Sequence, residues 1–280
     1  MNYTRIDVHP VSGALGAEIS GVRLAESLDD ETFKELRDAW LTYQVLFFRD
    51  QELTPDQHVA FAGRFGEFQK PGFVPTLEGQ PNIRKQEMDE YSKIGSDVTW
   101  HTDDTFLETP SMGSVLYALD VPEAGGDTVW INMYRAFETL SDPMQAFISP
   151  MTAIHDISAT MGIGILRNYG AKAWQKLRSS TPPVEHPVVR THPETGRKSL
   201  FVNPLLTSSI KGLSEPESRM LLDLLFQHMQ QPENMCRFRW RKHSVAFWDN
   251  RSTAHKGVND FYPAHRLMHR VAVADTERPR

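Results

Sequence analysis

The feature that most constrains the fold is a run of alternating residues at 265–273. Arg266, Met268 and Arg270 occupy every second position, so on a β-strand both guanidinium groups face the same side. Burying a guanidinium without an anion costs several kcal/mol, and its planar fork of donors suits a carboxylate. The pattern therefore predicts a strand that lines an interior where an anion binds. An edge strand with solvated basic residues is the alternative that the pattern alone leaves open.

Other patterns predict further strands and a helix. Residues 45–48 form an apolar run typical of a strand, and the segment 236–241 alternates apolar residues with arginines, as in a strand with one buried face. A capping box that begins at Ser214 predicts a helix. We expect its apolar face to consist of Met220, Leu221, Leu224 and Leu225.

The domain organisation follows from length and from the lack of dividing segments. The chain has 280 residues, 40% of them apolar, which is enough for one sizeable core. No internal repeat, low-complexity tract or linker divides the sequence. We therefore expect a single domain over residues 1–280, with lid-like insertions around 68–98 and 141–212.

Charge and cysteine content exclude several classes of function. The formal net charge of -6 gives no general attraction for nucleic acid or an anionic membrane. Cys236 is the only cysteine, which excludes an internal disulfide and a cysteine-rich metal cluster. No signal-peptide pattern opens the sequence, and no stretch approaches the ~18 apolar residues of a spanning helix. We expect a cytoplasmic protein that binds neither nucleic acid nor a membrane.

A candidate metal site joins two distant segments. His101 and Asp103 are two residues apart, so in extended backbone both point to one side and can share an ion. Such pairs arise by chance in a chain with 11 histidines, so a third ligand is needed. His255 follows a strand and a turn-forming stretch and is the candidate, although alone it fits a surface histidine equally well. Two histidines and one carboxylate leave open positions on non-haem Fe(II), whereas a structural zinc site normally has four ligands.

Taken together, these motifs resemble the taurine dioxygenase family of Fe(II)/2-oxoglutarate-dependent dioxygenases, which includes aryloxyalkanoate and alkyl-sulfate dioxygenases. The resemblance covers nearly the whole chain. It is carried by residues 13–22, 65–66, 100–103, 125–128, 248–250 and 268–270. It implies a mainly β fold with flanking helices, a distorted double-stranded β-helix (jelly roll) with inserted lid segments.

The resemblance also implies a site and a reaction. The iron ligands would be His101, Asp103 and His255. Thr128 and Arg266 would bind the distal carboxylate of 2-oxoglutarate, and Arg270 would reach both this cosubstrate and the acidic group of the substrate. The expected enzyme uses O2, releases succinate and CO2, and hydroxylates a C–H of a small anionic organic substrate: an aryloxyalkanoate, a sulfonate or an alkyl sulfate. The product often breaks down to an aldehyde or keto acid.

One departure from the family bears on the substrate. Members that act on taurine carry a histidine for the sulfonate just after the Phe-Gly motif, whereas residues 67–71 here read Glu-Phe-Gln-Lys-Pro. Taurine itself is therefore disfavoured. Lys70 is the candidate replacement, although a solvated loop lysine fits as well. We expect Asp97 and Asp104 to point outward or to pair with a cationic part of the substrate, and Phe106 to form a pocket wall or to pack in the core.

Two other classes of function stay open at this point. A metal-dependent hydrolase would use the same three ligands but would have no need of Arg266 and Arg270. A non-catalytic sensor that binds metal and 2-oxoglutarate is disfavoured by the complete ligand set. His155 and His186 have no ligand-like spacing and are assigned to ordinary packing or surface. We expect a homo-oligomer, a dimer or a tetramer.

Overall fold

The computed structural model describes residues 3–70, 76–89 and 99–280, so Asp97 lies outside the described residues. The strands are β1 Asp7–Pro10, β2 Ala17–Ser20, β3 Val45–Phe48, β4 Thr76–Leu77, β5 Gln80–Met88, β6 Ser111–Asp120, β7 Thr128–Asn132, β8 Thr152–His155, β9 Val184–Pro187, β10 Val189–Thr191, β11 Lys198–Leu200, β12 Thr207–Ile210, β13 Met235–Phe238, β14 Val245–Asp249, β15 Thr253–Gly257 and β16 Arg266–Ala274. The helices are α1 Asp30–Tyr43, α2 Pro55–Gly63, α3 Met133–Glu138, α4 Asp142–Ile148, α5 Ile157–Ser180 and α6 Glu215–Met229.

Two sheets enclose an aromatic interior. The larger sheet has eight strands in the order β1-β2-β3-β14-β6-β16-β5-β4, and the smaller sheet has the order β13-β7-β15. Trp130 of β7 and Trp248 of β14 pack between them with ring centroids 5.7 Å apart, and Met268 of β16 joins the same cluster. The predicted interior strand is confirmed. The edge-strand alternative is wrong, because β16 pairs with β5 on one side and with β6 on the other.

Helices cover the outer faces of both sheets. Trp40 of α1 stacks on Phe247 of the larger sheet with ring centroids 4.4 Å apart, and Phe61 of α2 belongs to the same core. On the smaller sheet, Ile131 packs in a separate core with Phe137 of α3 and with α6. Strands buried on both faces explain why residues 45–48 read as a continuous apolar run rather than an alternating one.

The helix behind Ser214 is confirmed, with a correction to its apolar face. Ser214 and Glu217 form the reciprocal capping box, and the helix buries Leu221 and Leu225 as expected. Met220 and Leu224, by contrast, are 70% and 44% exposed. The buried face instead includes residues 218, 222 and 229, because a helix of 3.6 residues per turn keeps positions three, four and seven apart on one side.

Part of the 68–98 segment forms two strands that the sequence did not predict. β5 runs for nine residues and pairs with β16 along its length. Its sequence, QPNIRKQEM, has little apolar alternation. Among its side chains Ile83 and Arg84 are buried, and a charged residue in that position gives no hydrophobic signal. The pairing with β16, rather than local propensity, makes this segment a strand.

The 141–212 segment contains both helix and sheet. β12-β8-β9 form a three-stranded sheet and β10-β11 a two-stranded one. α5 is interrupted at Gly170, whose φ of 82° is not helical. Among the helices of the described ranges, none has the length and apolarity that a membrane crossing requires.

Candidate metal centre

His101, Asp103 and His255 meet beside β15. The backbone of His101 pairs with that of His255 through two hydrogen bonds of 3.0 and 2.7 Å, so the 101 segment extends the smaller sheet. One possible ligand atom from each of the three side chains lies within 4.8 Å of the other two. Asp103 Oδ1 is 3.7 Å from His101 Nε2 and 3.9 Å from His255 Nε2. The structure thus brings together the three residues that the sequence singled out.

Neighbouring groups orient the ligand atoms. His101 donates from Nδ1 to the carbonyl of Thr99 at 2.7 Å. In a neutral ring Nε2 then carries the lone pair, and this atom faces Asp103. The hydroxyl of Ser114 donates to Asp103 Oδ2 at 2.9 Å. The His255 ring packs 4.8 Å from Trp248 between centroids, and its Nδ1 has no hydrogen-bond partner in the described part of the chain. Two imidazoles and a carboxylate therefore converge with their acceptor atoms toward one point.

The protonation states suit a divalent cation. Burial alone would raise the pKa of Asp103, but the positive charge of Arg270 and the hydrogen bond from Ser114 hold this pKa well below its ordinary value. Burial, together with His101, lowers the pKa of His255 well below its ordinary value. A carboxylate and neutral imidazoles are the forms that bind metal. The donor set of two nitrogens and one oxygen fits Fe(II), which this arrangement leaves open to further ligands.

Arg270 and Arg266 are both on β16, and Arg270 contacts this centre directly. Arg270 Nη1 donates to Asp103 Oδ1 at 2.6 Å. Arg266 is buried, and a Cβ added to Gly126 would lie 3.5 Å from its Cδ. Thr128, two residues after Gly126, is buried and accepts a hydrogen bond from Trp240 Nε1 at 2.9 Å. Glycine suits position 126 because its φ of +69° disfavours a side chain and because a Cβ there would lie 3.2 Å from Phe261.

The three side chains proposed for the substrate differ in position. Asp104 does not point outward as expected: it is buried at a φ of 57° and forms an ion pair of 3.4 Å with Arg84. Phe106 is half-buried against the core of α5 and also lines a cavity of about 530 Å³. Lys70 is exposed, and its carbonyl accepts a hydrogen bond from Arg84 at 3.3 Å.

A buried polar network behind the metal motif was missed by the sequence analysis. The hydroxyl of Thr105 lies 3.0 Å from His155 Nδ1 and accepts from Asn203 Nδ2 at 3.2 Å. His186 Nε2 donates to the carbonyls of Thr105 and Leu107, each at 3.0 Å. Burial lowers the pKa of His155 to about 3, so it is neutral at pH 7. These histidines do pack in the interior, but they also fix the backbone of the loop that follows Asp103.

Comparison with known proteins identifies the family. The model of the "Taurine catabolism dioxygenase TauD, TfdA family" matches residues 7–272. The chain belongs to the TauD/TfdA family. The expected family is thereby confirmed, and with it the enzyme class, that of 2-oxoglutarate-dependent dioxygenases.

Relatives within the TauD/TfdA family have names that refer to several anionic substrates. An alkylsulfatase of Acinetobacter baylyi is 35% identical over 96% of this chain and 85% of its own length. An alpha-ketoglutarate-dependent sulfate ester dioxygenase of Pseudomonas putida is 34% identical, with 96% and 89% covered. An (S)-phenoxypropionate/alpha-ketoglutarate-dioxygenase of Sphingobium herbicidovorans is 31% identical, with 96% and 94% covered. Alpha-ketoglutarate is another name for 2-oxoglutarate.

Solved structures of the TauD/TfdA type share the fold. A taurine dioxygenase from Burkholderia xenovorans superposes with a TM-score of 0.84 at 35% identity, over 99% of this chain and 93% of that one. The structure of AAD-2 in complex with Mn(II) and N-oxalylglycine gives a TM-score of 0.82 at 29% identity, over 98% of each chain. The expected mainly β jelly roll with flanking helices is confirmed.

Proposed function

We propose that this chain is an Fe(II)- and 2-oxoglutarate-dependent dioxygenase that hydroxylates a C–H of a small anionic organic substrate. The observation that carries the proposal is the convergence of His101, Asp103 and His255 beside a buried strand that bears two arginines. A metal site alone would leave the use of the ion open. Arg266 and Arg270 add the cations that a dianionic cosubstrate and an acidic substrate require.

The residues divide the work as follows. The metal would be held by His101, Asp103 and His255. The distal carboxylate of 2-oxoglutarate would be bound by Thr128 and Arg266. When bound, Fe(II) supplies the activation of O2 that couples decarboxylation of 2-oxoglutarate, to succinate and CO2, with insertion of one oxygen atom into a substrate C–H bond.

Arg270 would orient the substrate. Its guanidinium is mostly buried and touches the carboxylate of Asp103, so an anionic group that it binds lies beside the metal ligands. Holding the reacting carbon in one place is the protein's main contribution to such a reaction. Trp130 and Trp248 pack against the His255 ring. They form an apolar wall that keeps water from this side of His255.

Among the three substrate classes, we favour alkyl sulfates, followed by sulfonates and aryloxyalkanoates. Support comes from the relatives at 35% and 34% identity, whose names refer to sulfate esters. A hydroxyl placed on the carbon that bears the ester oxygen gives an unstable product, which collapses to an aldehyde and releases sulfate. Lys70, Asp104 and Phe106 stay candidates for contact with the substrate.

The test starts with anaerobic addition of Fe(II) and 2-oxoglutarate, which should give the weak visible charge-transfer band of the chelate. O2-dependent succinate release is then measured with hexyl sulfate, hexanesulfonate and 2-phenoxypropionate. Absence of the band in the wild-type protein would refute the proposal. Sulfate release without O2 or 2-oxoglutarate would favour the hydrolase, and binding of 2-oxoglutarate with no succinate from any substrate would favour the sensor.

We also propose that the chain is a single domain over residues 1–280 and works as a cytoplasmic homo-oligomer, a dimer or a tetramer, that binds neither nucleic acid nor membrane. The net charge of -6 supports the last point. Light scattering of the purified protein tests the oligomeric state, and a purely monomeric mass would contradict it.

A further inference from the structure

Arg84 lies beside Arg270, close to the metal ligands. The two residues are directly opposite each other on the paired strands β5 and β16. Directly opposite residues of an antiparallel pair project from the same face, with Cβ atoms about 5 Å apart. Arg270 reaches Asp103 at 2.6 Å, and Arg84 reaches the next residue, Asp104, at 3.4 Å. Two guanidinium groups thus extend side by side toward the metal motif.

The hydrogen bonds of Arg84 are long for so buried a charge. Its side chain is only 4% exposed, and its bonds to Asp104 Oδ1 and to the Lys70 carbonyl measure 3.4 and 3.3 Å. Charge-assisted bonds are usually about 2.7–2.9 Å. Asp104 Oδ2 is buried and has no hydrogen-bond partner among the residues that the structure describes. Arg84 and Asp104 therefore form an ion pair, but its single hydrogen bond is long.

An arginine with a purely structural role looks different in the same protein. Arg251 is 2% exposed. It donates to Asp249 through bonds of 2.9 and 2.8 Å and to Glu194 through one of 2.7 Å. Three short bonds to two carboxylates neutralise this guanidinium fully. Among the residues that the structure describes, Arg84 contacts one carboxylate, through one long bond, so it retains donors that can serve a further anion.

The balance of charges in the site also indicates that a further anion binds there. With metal and cosubstrate bound, Arg84, Arg266, Arg270 and a divalent ion carry one positive charge more than Asp103, Asp104 and the 2-oxoglutarate dianion carry negative. A monoanionic substrate removes that excess. Like charges directly opposite on paired strands are destabilising, so an anion bound by both Arg84 and Arg270 would add to the stabilisation that Asp103 and Asp104 already give.

We infer that Arg84 is a substrate-binding residue that, together with Arg270, holds the monoanionic sulfate, sulfonate or carboxylate group of the substrate. The inference rests on the proposed function and narrows its substrate to a monoanion. Arg84 thereby supplies a buried cation next to Lys70, the residue to which the sequence pointed. The Lys70 side chain is exposed, and its carbonyl is what Arg84 contacts.

The experiment measures substrate binding without turnover. Protein loaded with Mn(II) and N-oxalylglycine is titrated by calorimetry with hexyl sulfate, hexanesulfonate and 2-phenoxypropionate. Loss of one hydrogen-bonded charge should raise the Kd of the tightest of these about tenfold to a hundredfold in Arg84→Gln. Arg84→Lys should recover part of the loss. Arg219→Gln, at an exposed ion pair with Glu215, is the matched control and should bind like the wild type.

A double variant separates substrate binding from mere neutralisation of Asp104. Asn tolerates the positive φ at position 104, so Arg84→Gln combined with Asp104→Asn removes both charges with little strain. Weak binding in the double variant supports the inference. Recovery of wild-type affinity, or an unchanged Kd in Arg84→Gln, overturns it.

The two proposals fail in different ways. If the wild-type protein binds none of the three anions, the substrate class of the proposed function is wrong and the role of Arg84 falls with it. If the wild type binds one and Arg84→Gln binds it equally well, only the role of Arg84 is refuted.

Discussion

Replacing Asp249 with Asn should lower the free energy of unfolding by about 3–5 kcal/mol, the usual cost of breaking a buried ion pair. Asp249 is buried at the end of β14. Its Oδ1 accepts from Arg251 Nε at 2.9 Å, and its Oδ2 accepts from Arg251 Nη2 at 2.8 Å and from His192 Nε2 at 2.9 Å. This carboxylate holds the turn that leads from β14 into β15, and so to His255.

The magnitude follows from what the substitution leaves behind. The Asn side chain has one acceptor oxygen and one NH2 group, so it turns donors toward Arg251 or His192, which are donors themselves. Arg251 keeps its bond to Glu194 at 2.7 Å, which places the expected loss near the lower end of the range. For a chain of this size each kcal/mol lowers Tm by about 2–4 °C, so Tm should fall by roughly 6–12 °C.

The pH dependence gives an independent check. Burial by itself would raise the pKa of Asp249, but Arg251 and His192 hold it well below its ordinary value. A carboxyl whose folded pKa lies below its unfolded value of about 3.9 contributes its full stabilisation above that pH and loses it as the pH falls toward the folded pKa. The difference in Tm between wild type and Asp249→Asn should therefore narrow below about pH 4.

The assay is thermal unfolding followed by circular dichroism between pH 7 and pH 3.5. Glu215→Gln, at the exposed pair with Arg219, is the control and should change stability by less than about 0.5 kcal/mol. A loss below about 1 kcal/mol at pH 7 in Asp249→Asn, or a difference that does not narrow in acid, would refute the reasoning.

Four further predictions concern the site and the core. Asp103→Ala and Arg266→Ala should each abolish succinate formation, and full activity in the Asp103 variant would refute the ligand assignment. Lys70→Ala should change the order of preference among the anionic substrates without removing uncoupled 2-oxoglutarate decay; an unchanged order counts against a substrate contact. Gly126→Ala forces a side chain to a φ of +69°, at a cost of about 1–2 kcal/mol, with its Cβ 3.2 Å from Phe261. The Phe261 ring lies under the Arg266 guanidinium, so the KM for 2-oxoglutarate should rise more than that for the substrate. Burial lowers the pKa of His58 to about 4, so the stabilisation from the neutral ring is complete above about pH 6.5 and is lost as the pH falls toward 4. The free energy of unfolding of the wild type, measured with urea, should therefore decline between pH 7 and pH 5, and His58→Gln should remove about 2 kcal/mol of that decline.

Features carried by short-range patterns could be predicted from the sequence. The capping box at Ser214 and the alternation of Arg266, Met268 and Arg270 depend only on the periodicities of helix and strand. His101 and Asp103 share a side because they are two residues apart. His255 was a candidate from its position after a strand and a turn, and the resemblance to a family supported it, since nothing local links it to a segment about 150 residues earlier.

Other features depend on contacts between segments that are far apart in the sequence. Arg84 occupies a polar stretch that shows no strand pattern, and Asp104 was expected to face outward. Each is buried because the other supplies its opposite charge, and β5 becomes a strand because β16 offers it a partner. His155 and His186 hold the loop behind Asp103 through contacts with residues about 50 to 80 positions away. The sequence pointed to His101, Asp103 and His255 as candidate metal ligands and to Arg266 and Arg270 as candidate anion-binding residues, but not to Arg84. Whether a charged residue is buried depends on partners that only the folded chain brings together, because the cost of desolvation is offset by the partner and not by the residue's own neighbours in sequence.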